Sequence, residues 1–197
     1  MLHSLACPPD PALGRSSSVD FTKGPSSDWQ PSGGNPTYDS SNGAAFTISR
    51  RGDAPLLESK WYIMFGRVDL EIKAAPGTGI VSSAVLESDD LDEIDWEWIG
   101  SQNDQVQTNY FGKGDTSTHN RGAIIDVSGT HDGFHTYSIE WTSSEMVWQV
   151  NGHTVRAVTP ESVQQGQYPQ SPMNIRVGVW AGGDPSNAQG TIGKYYQ

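Results

Sequence analysis

Between Asp92 and Trp98 the chain reads Asp-Glu-Ile-Asp-Trp-Glu-Trp, with carboxylates at the alternate positions Glu93, Asp95 and Glu97. Successive side chains of a β-strand point to opposite faces of its sheet. The three acids would therefore share one face, and Ile94, Trp96 and Trp98 the other. Like charges on one face weaken a sheet, so folding alone gives no reason for the row. An open cleft does: carboxylates of unequal proton affinity can cleave or transfer a glycosidic bond. In a regular strand the Cα atoms of Glu93 and Glu97 lie ~13 Å apart, and side chains leaning together across a twisted sheet close much of that gap. Asp95 sits between them and can bias the two glutamates toward different protonation states. A solvated acidic face and a calcium site are competing readings. The Asp-x-Asp-x-Asp-Gly spacing of a calcium loop is absent, and strong β-formers between the acids favour a sheet over a loop.

Other chemistries find less support. His131 and His135 are four apart, but in a strand lead-in that spacing does not make a zinc pair. Cys7, the sole cysteine, stands in a Pro-rich terminus without an activating base and permits no internal disulfide. Glycine patterns for phosphate or dinucleotide binding are missing. The formal net charge is -11, from 12 Lys plus Arg against 23 Asp plus Glu. A basic footprint for nucleic acid is therefore lacking, an anionic membrane surface is disfavoured, and no apolar run reaches spanning length. Neutral polysaccharide is compatible with this charge. Seven Trp and seven Tyr suit a sandwich core, and they also suit stacking on sugar rings.

The elements around the row read as strands. Val68, Leu70 and Ile72 alternate with polar residues between Arg67 and Lys73, the pattern of a half-buried antiparallel strand. Further strands are expected over Ile80–Leu86, Gln105–Phe111, His135–Trp141, Val147–Val150, His153–Val158 and Asn174–Trp180. Asn151-Gly152 is a hairpin signal, because a type I′ turn needs positive φ at both positions. Ser18–Phe21 and Ala45–Ile48 are expected as edge strands, and Pro160–Gln165 as the one short helix. With no repeat and no interdomain linker, the chain reads as an all-β sandwich or jelly roll in one domain.

The acidic strand resembles the Glu-x-Asp-x-Glu motif of glycoside hydrolase family 16, whose fold is a concanavalin-like β-jelly roll. The wider match is to the fungal Crh branch. It is carried by Gly52-Asp53-Ala54-Pro55, Lys73-Ala74-Ala75-Pro76-Gly77-Thr78-Gly79, Leu86 to Glu93, Gln107-Thr108-Asn109-Tyr110-Phe111-Gly112-Lys113-Gly114 and Trp180 to Asn187. That branch comprises chitin–glucan cross-linking transglycosylases of the cell wall. The resemblance implies Glu93 as nucleophile, Glu97 as general acid and then base, and Asp95 as the helper between them. It implies sugar contacts at Arg176, Trp180 and Thr191, with Gln107, Asn109, Tyr110 and Lys113 as further cleft candidates. It implies chitin and β-glucan as partners, a monomer, an extracellular or cell-wall location, and no cofactor, with structural calcium left open. An endo-β-glucanase or chitinase using the same triad, a non-catalytic carbohydrate-binding protein, and an inactive fragment are the alternatives.

Residues 1–17 read as a Pro/Ser-rich segment and 18–197 as the catalytic domain. Set against the family, the N-terminus lacks a signal peptide and a partner for Cys7. The C-terminus turns at Gly193 away from a further cleft segment and strand. Truncation at both ends, with the C-terminal strand missing, is therefore expected.

Overall fold

The computed structural model describes residues 9–184. Cys7, Thr191 and the expected missing C-terminal strand lie outside the described residues. Thirteen strands are present among them: β1 (Trp29–Ser32), β2 (Thr37–Asp39), β3 (Gly43–Ala45), β4 (Leu56–Ser59), β5 (Gly66–Ile72), β6 (Ile80–Glu87), β7 (Glu93–Ile99), β8 (Gln105–Phe111), β9 (Ala123–Asp126), β10 (His135–Trp141), β11 (Met146–Val150), β12 (His153–Val158) and β13 (Asn174–Ala181). A seven-stranded sheet runs in the order β1-β4-β13-β6-β7-β8-β9, and a four-stranded sheet in the order β12-β11-β10-β5. β2 and β3 form a separate hairpin. Every pairing between these strands is antiparallel. The expected all-β sandwich is the fold.

The core lies between the two larger sheets and follows from the alternation of their strands. β7 contributes Ile94, Trp96 and Trp98, each fully buried, and β10 and β11 answer with Tyr137, Ile139, Trp141, Met146 and Trp148. Trp96 stacks on Trp98 at 6.3 Å between ring centroids, and Tyr137 meets both edge-on at 5.3 and 4.7 Å. Such offset and edge-to-face contacts add to the stabilisation from burial itself. The apolar half of the acidic strand is thus the centre of the core.

The Asn151-Gly152 hairpin forms as expected, with φ of 50° and 80° at the two turn residues. Three expectations fail locally. Ser18–Phe21 is not a strand: the Asp20 side chain accepts from the Thr22 amide at 3.0 Å and caps a 3-10 turn over Phe21–Lys23. Ala45–Ile48 contributes only Ala45 to a strand. The helix expected over Pro160–Gln165 shrinks to a 3-10 turn at Pro160–Ser162. The Pro/Ser-rich segment is tied to the sandwich through two backbone hydrogen bonds with Tyr62: Leu13 donates to its carbonyl and Tyr62 donates to Pro11.

Candidate active site

β7 lies between β6 and β8, so its register with each decides what surrounds the acids. Directly opposed residues of antiparallel strands share a face. On the β6 side Glu93 faces Glu87, Asp95 faces Val85 and Glu97 faces Ser83. On the β8 side Glu93 faces Phe111, Asp95 faces Asn109 and Glu97 faces Gln107. Beyond β6, β13 sets Asn174 opposite Glu87, Arg176 opposite Val85 and Trp180 opposite Val81. The sheet face turned away from the core therefore carries the acid row, Gln107 and Asn109 to one side, and Arg176 and Trp180 to the other.

A cleft of about 310 Å³ opens at the Glu97 end, lined among others by Gln102, Gln107, Asn109, Phe111 and His119. Its far wall is the segment after β8, held by Arg121. The Arg121 guanidinium donates to the Gln167 side chain at 2.6 Å and to the carbonyls of Asp115 and Thr118 at 2.6 and 3.0 Å, and lies 4.8 Å over the Phe111 ring. Arg156 supports the wall from beneath, donating to the Thr108 and Arg121 carbonyls at 2.9 and 2.5 Å. Gly112 is the pivot. A Cβ there would stand 2.2 Å from the Gly166 carbonyl oxygen, so the chains approach this closely only through glycine.

The acids differ in their surroundings. Asp95 is 2% exposed. Burial, and then the charges of Glu93 and Glu97, push its proton affinity well above the ordinary carboxylate range. Its Oδ1 makes no hydrogen bond among the described residues. The interaction of its carboxyl with that of Glu93 favours neutral Asp95 and ionised Glu93. Glu93 is half-buried, and its pKa is pushed up to about 7. Burial is the main cause, the charges of Glu97 and Glu87 add to it, and the Asp95 hydrogen bond and Arg176 oppose it. Beneath the row the Trp148 indole donates to the Asp95 backbone carbonyl at 3.1 Å, anchoring the strand to the core.

The other expected contacts divide. Gln107, Asn109 and Arg176 lie on the face of the acids, and so does Trp180, which is 8% exposed and packs with Val81 and Ile99. Tyr110 does not. It pairs with Ile94, is 6% exposed, and faces the core, with its ring near Trp148 and the Arg156 guanidinium. Lys113 lies past the end of β8 and is bound up in a clamp. Its ammonium meets Asp90 at 2.9 Å, Asp92 at 3.4 Å and the Ser171 hydroxyl. Its amide, with that of Gln170, donates to the buried Asp92 carboxylate at 2.8 Å. Glu87, Arg121 and His119 are not singled out by the sequence. The alternation of β6 could have placed Glu87 on the outward face with Val85 and Ser83, though it could not have set it opposite Glu93; no periodic signal points to the other two. Among the described residues no three His, Cys, Asp or Glu side chains converge as a metal site.

The sequence profile of Glycosyl hydrolases family 16 matches residues 23–196. The chain belongs to this family. It is 66% identical over 186 residues to Crh-like protein 4 of Aspergillus fumigatus, covering 94% of this chain and 41% of that protein. It is 46% identical over 194 residues to Congo red hypersensitive protein 1 of Saccharomyces cerevisiae, covering 97% and 37%. The chain thus spans less than half the length of these two curated relatives. Among solved structures it resembles a Crh5 transglycosylase in complex with NAG. The TM-score is 0.87 at 45% identity, covering 93% of this chain and 76% of that one. A Bacillus licheniformis beta-glucanase, at 23% identity and a TM-score of 0.69, shares the fold.

Proposed function

We propose that residues 18–197 form the catalytic domain of a retaining transglycosylase of the fungal cell wall. It cleaves chitin-like β-1,4-linked chains and passes them to β-glucan or chitin acceptors. The observation that carries this reading is the row Glu93–Asp95–Glu97 on one face of a core strand, with burial and the neighbouring acids raising the proton affinity of Asp95 between the two glutamates. The likeness to Crh-like proteins and to a Crh5 transglycosylase supports the substrate class.

In this reading Glu93 attacks the anomeric carbon of the donor sugar. The bond to the leaving oxygen breaks as Glu97 supplies its proton, leaving a glycosyl ester on Glu93. Glu97, now a carboxylate, takes the proton from an acceptor hydroxyl. That oxygen attacks the anomeric carbon and releases Glu93 with retention of configuration. The Asp95 hydrogen bond stabilises Glu93 in the charged form that must attack. Transfer outruns hydrolysis when a sugar is held in place at the intermediate and water is excluded. The cleft beside Glu97, with Gln102, Gln107 and Asn109 along its wall, offers hydrogen bonds for that purpose. Arg176 and Trp180 lie toward the opposite side and contact the donor. The domain acts as a monomer outside the cell, without a cofactor.

The test is a chitin donor mixed with fluorescently labelled chitin and glucan oligosaccharides, using the wild type and Glu93→Gln, with products sized. Labelled high-mass polymer from the wild type alone is expected. Short reducing oligomers without labelled polymer would replace the transferase with a hydrolase. Binding that is unchanged in Glu93→Gln, with no turnover in either protein, would leave a carbohydrate-binding module.

A further inference from the structure

Glu87 has no part in the mechanism above, yet it is the Cα partner of Glu93 across β6 and β7. A carboxylate set directly opposite another costs sheet stability. On its other side Glu87 faces Asn174 of β13. The Asn174 side-chain oxygen accepts from Arg176 Nε at 3.0 Å, and Arg176 Nη1 pairs closely with Glu87 Oε2. The Arg176 and Glu87 side chains are 26% and 23% exposed, so the pair is shielded well beyond an ordinary surface ion pair. β6 and β13 together commit one guanidinium to a fixed place beside the acid row.

We propose that Glu87 is a positioning residue for this site: it fixes the Arg176 guanidinium at the end of the carboxylate row, next to Glu93. The proposal rests on reading Glu93 as the nucleophile. Each element around Glu93 contributes a known group. β6 brings Glu87, β7 brings Asp95 and Glu97, β13 brings Arg176, whose own Cα partner on β4 is Glu58, and β8 brings the uncharged Phe111. Arg176 is the cation that opposes the acids at Glu93. A free guanidinium on a mobile side chain would give that attraction only part of the time. Tied to Glu87 and Asn174, it gives it in every turnover.

The experiment follows the Glu93 carboxyl by carbon-13 NMR titration, with its resonance identified by its loss in Glu93→Gln. The pH profile of transfer is measured in parallel. Arg176→Met moves the Glu93 midpoint to higher pH, by on the order of tenfold in proton affinity. Glu87→Gln moves it to lower pH, because Glu87 weighs more on Glu93 than Arg176 does. The deciding variant is the double one. If Glu87 holds Arg176 in place, Arg176→Met has a markedly smaller effect in the Glu87→Gln background than in the wild type. Equal effects in both backgrounds, or midpoints that do not move, overturn the proposal. Thermal unfolding of each variant confirms that the titrations report folded protein. If the wild type fails to transfer at all, the functional reading falls, while the titration still decides whether Glu87 positions Arg176.

Discussion

Replacing Glu93 by Gln should make this protein more stable, and only where the carboxyl is meant to be charged. An acid whose proton affinity is raised by folding binds more protons folded than unfolded. Stability then falls as pH rises between the unfolded and folded values. For Glu93 that window runs from 4.5 to about 7. At about 1.4 kcal/mol per tenfold change in proton affinity, the wild type above the window carries a penalty of about 3 kcal/mol. The neutral amide of Glu93→Gln cannot ionise and escapes it. At pH 8 the variant should therefore be more stable by about 3 kcal/mol, or roughly 6–12 °C in melting temperature for a chain of this size. At pH 4, below the window, the two should be nearly equal in stability. Urea unfolding of both proteins at the two pH values reads this directly, and the difference includes the response of Asp95, whose proton affinity the Glu93 charge raises. A variant no more stable than the wild type at pH 8 would refute the reasoning. So would a difference of the same size at both pH values, since that would come from packing.

Two further outcomes follow from the same site. Glu97→Gln, given a chitin-oligosaccharide donor with a leaving group that needs no proton, should form the glycosyl ester on Glu93 but fail to pass it on. Intact-protein mass spectrometry should then show the added sugar, and an unmodified protein would count against Glu97 as the base of the second step. Asp92→Ala removes the buried carboxylate that accepts from the partly buried amides of Lys113 and Gln170. Because both amides are only partly buried, the cost lies at the lower end of about 1–3 kcal/mol for each orphaned donor, about 2 kcal/mol in urea unfolding, and a loss below ~1 kcal/mol would show that the clamp relaxes without it.

How far the sequence reveals this molecule depends on what each strand has to bury. β5, β7, β10 and β13 are legible because one face enters the core and the other does not, which writes a period of two into the chain. β4 is buried along most of its length, so Leu56–Ser59 carries no alternation. β1 is an edge strand in which Pro31 is tolerated, and its residues read as loop. β9 is an edge strand too, and Ile124 within it is 60% exposed. The acid row is legible for the same reason as the core: Glu93, Asp95 and Glu97 share one parity. Tyr110 is the exception among the cleft candidates, and parity along β8 explains it. Gln107 and Asn109 face the cleft, so the residue after Asn109 must face inward. Register is a different matter. That Glu87 meets Glu93, and Arg176 meets Glu87, depends on pairings among three strands that no single strand encodes.

The two faces of β7 also explain how the protein tolerates an acid row. Asp95 is as thoroughly buried as the tryptophans beside it, and burying a carboxyl costs stability even when it stays neutral. The opposite face of the same strand sets Ile94, Trp96 and Trp98 into the centre of the core, and losing one such tryptophan to alanine costs ~3–5 kcal/mol. The cost of the raised proton affinity at Glu93 is set against these core contributions on the same strand. The strand that carries the unfavourable charges is also the strand the core holds most firmly, and the Trp148 indole fixes its backbone at Asp95. Rigidity matters here because Asp95 can order the protonation of its neighbours only if the spacing of the row does not relax. Moved to an edge strand such as β9, the same three acids would drift apart into water, regain ordinary proton affinities, and lose the asymmetry that separates a nucleophile from an acid.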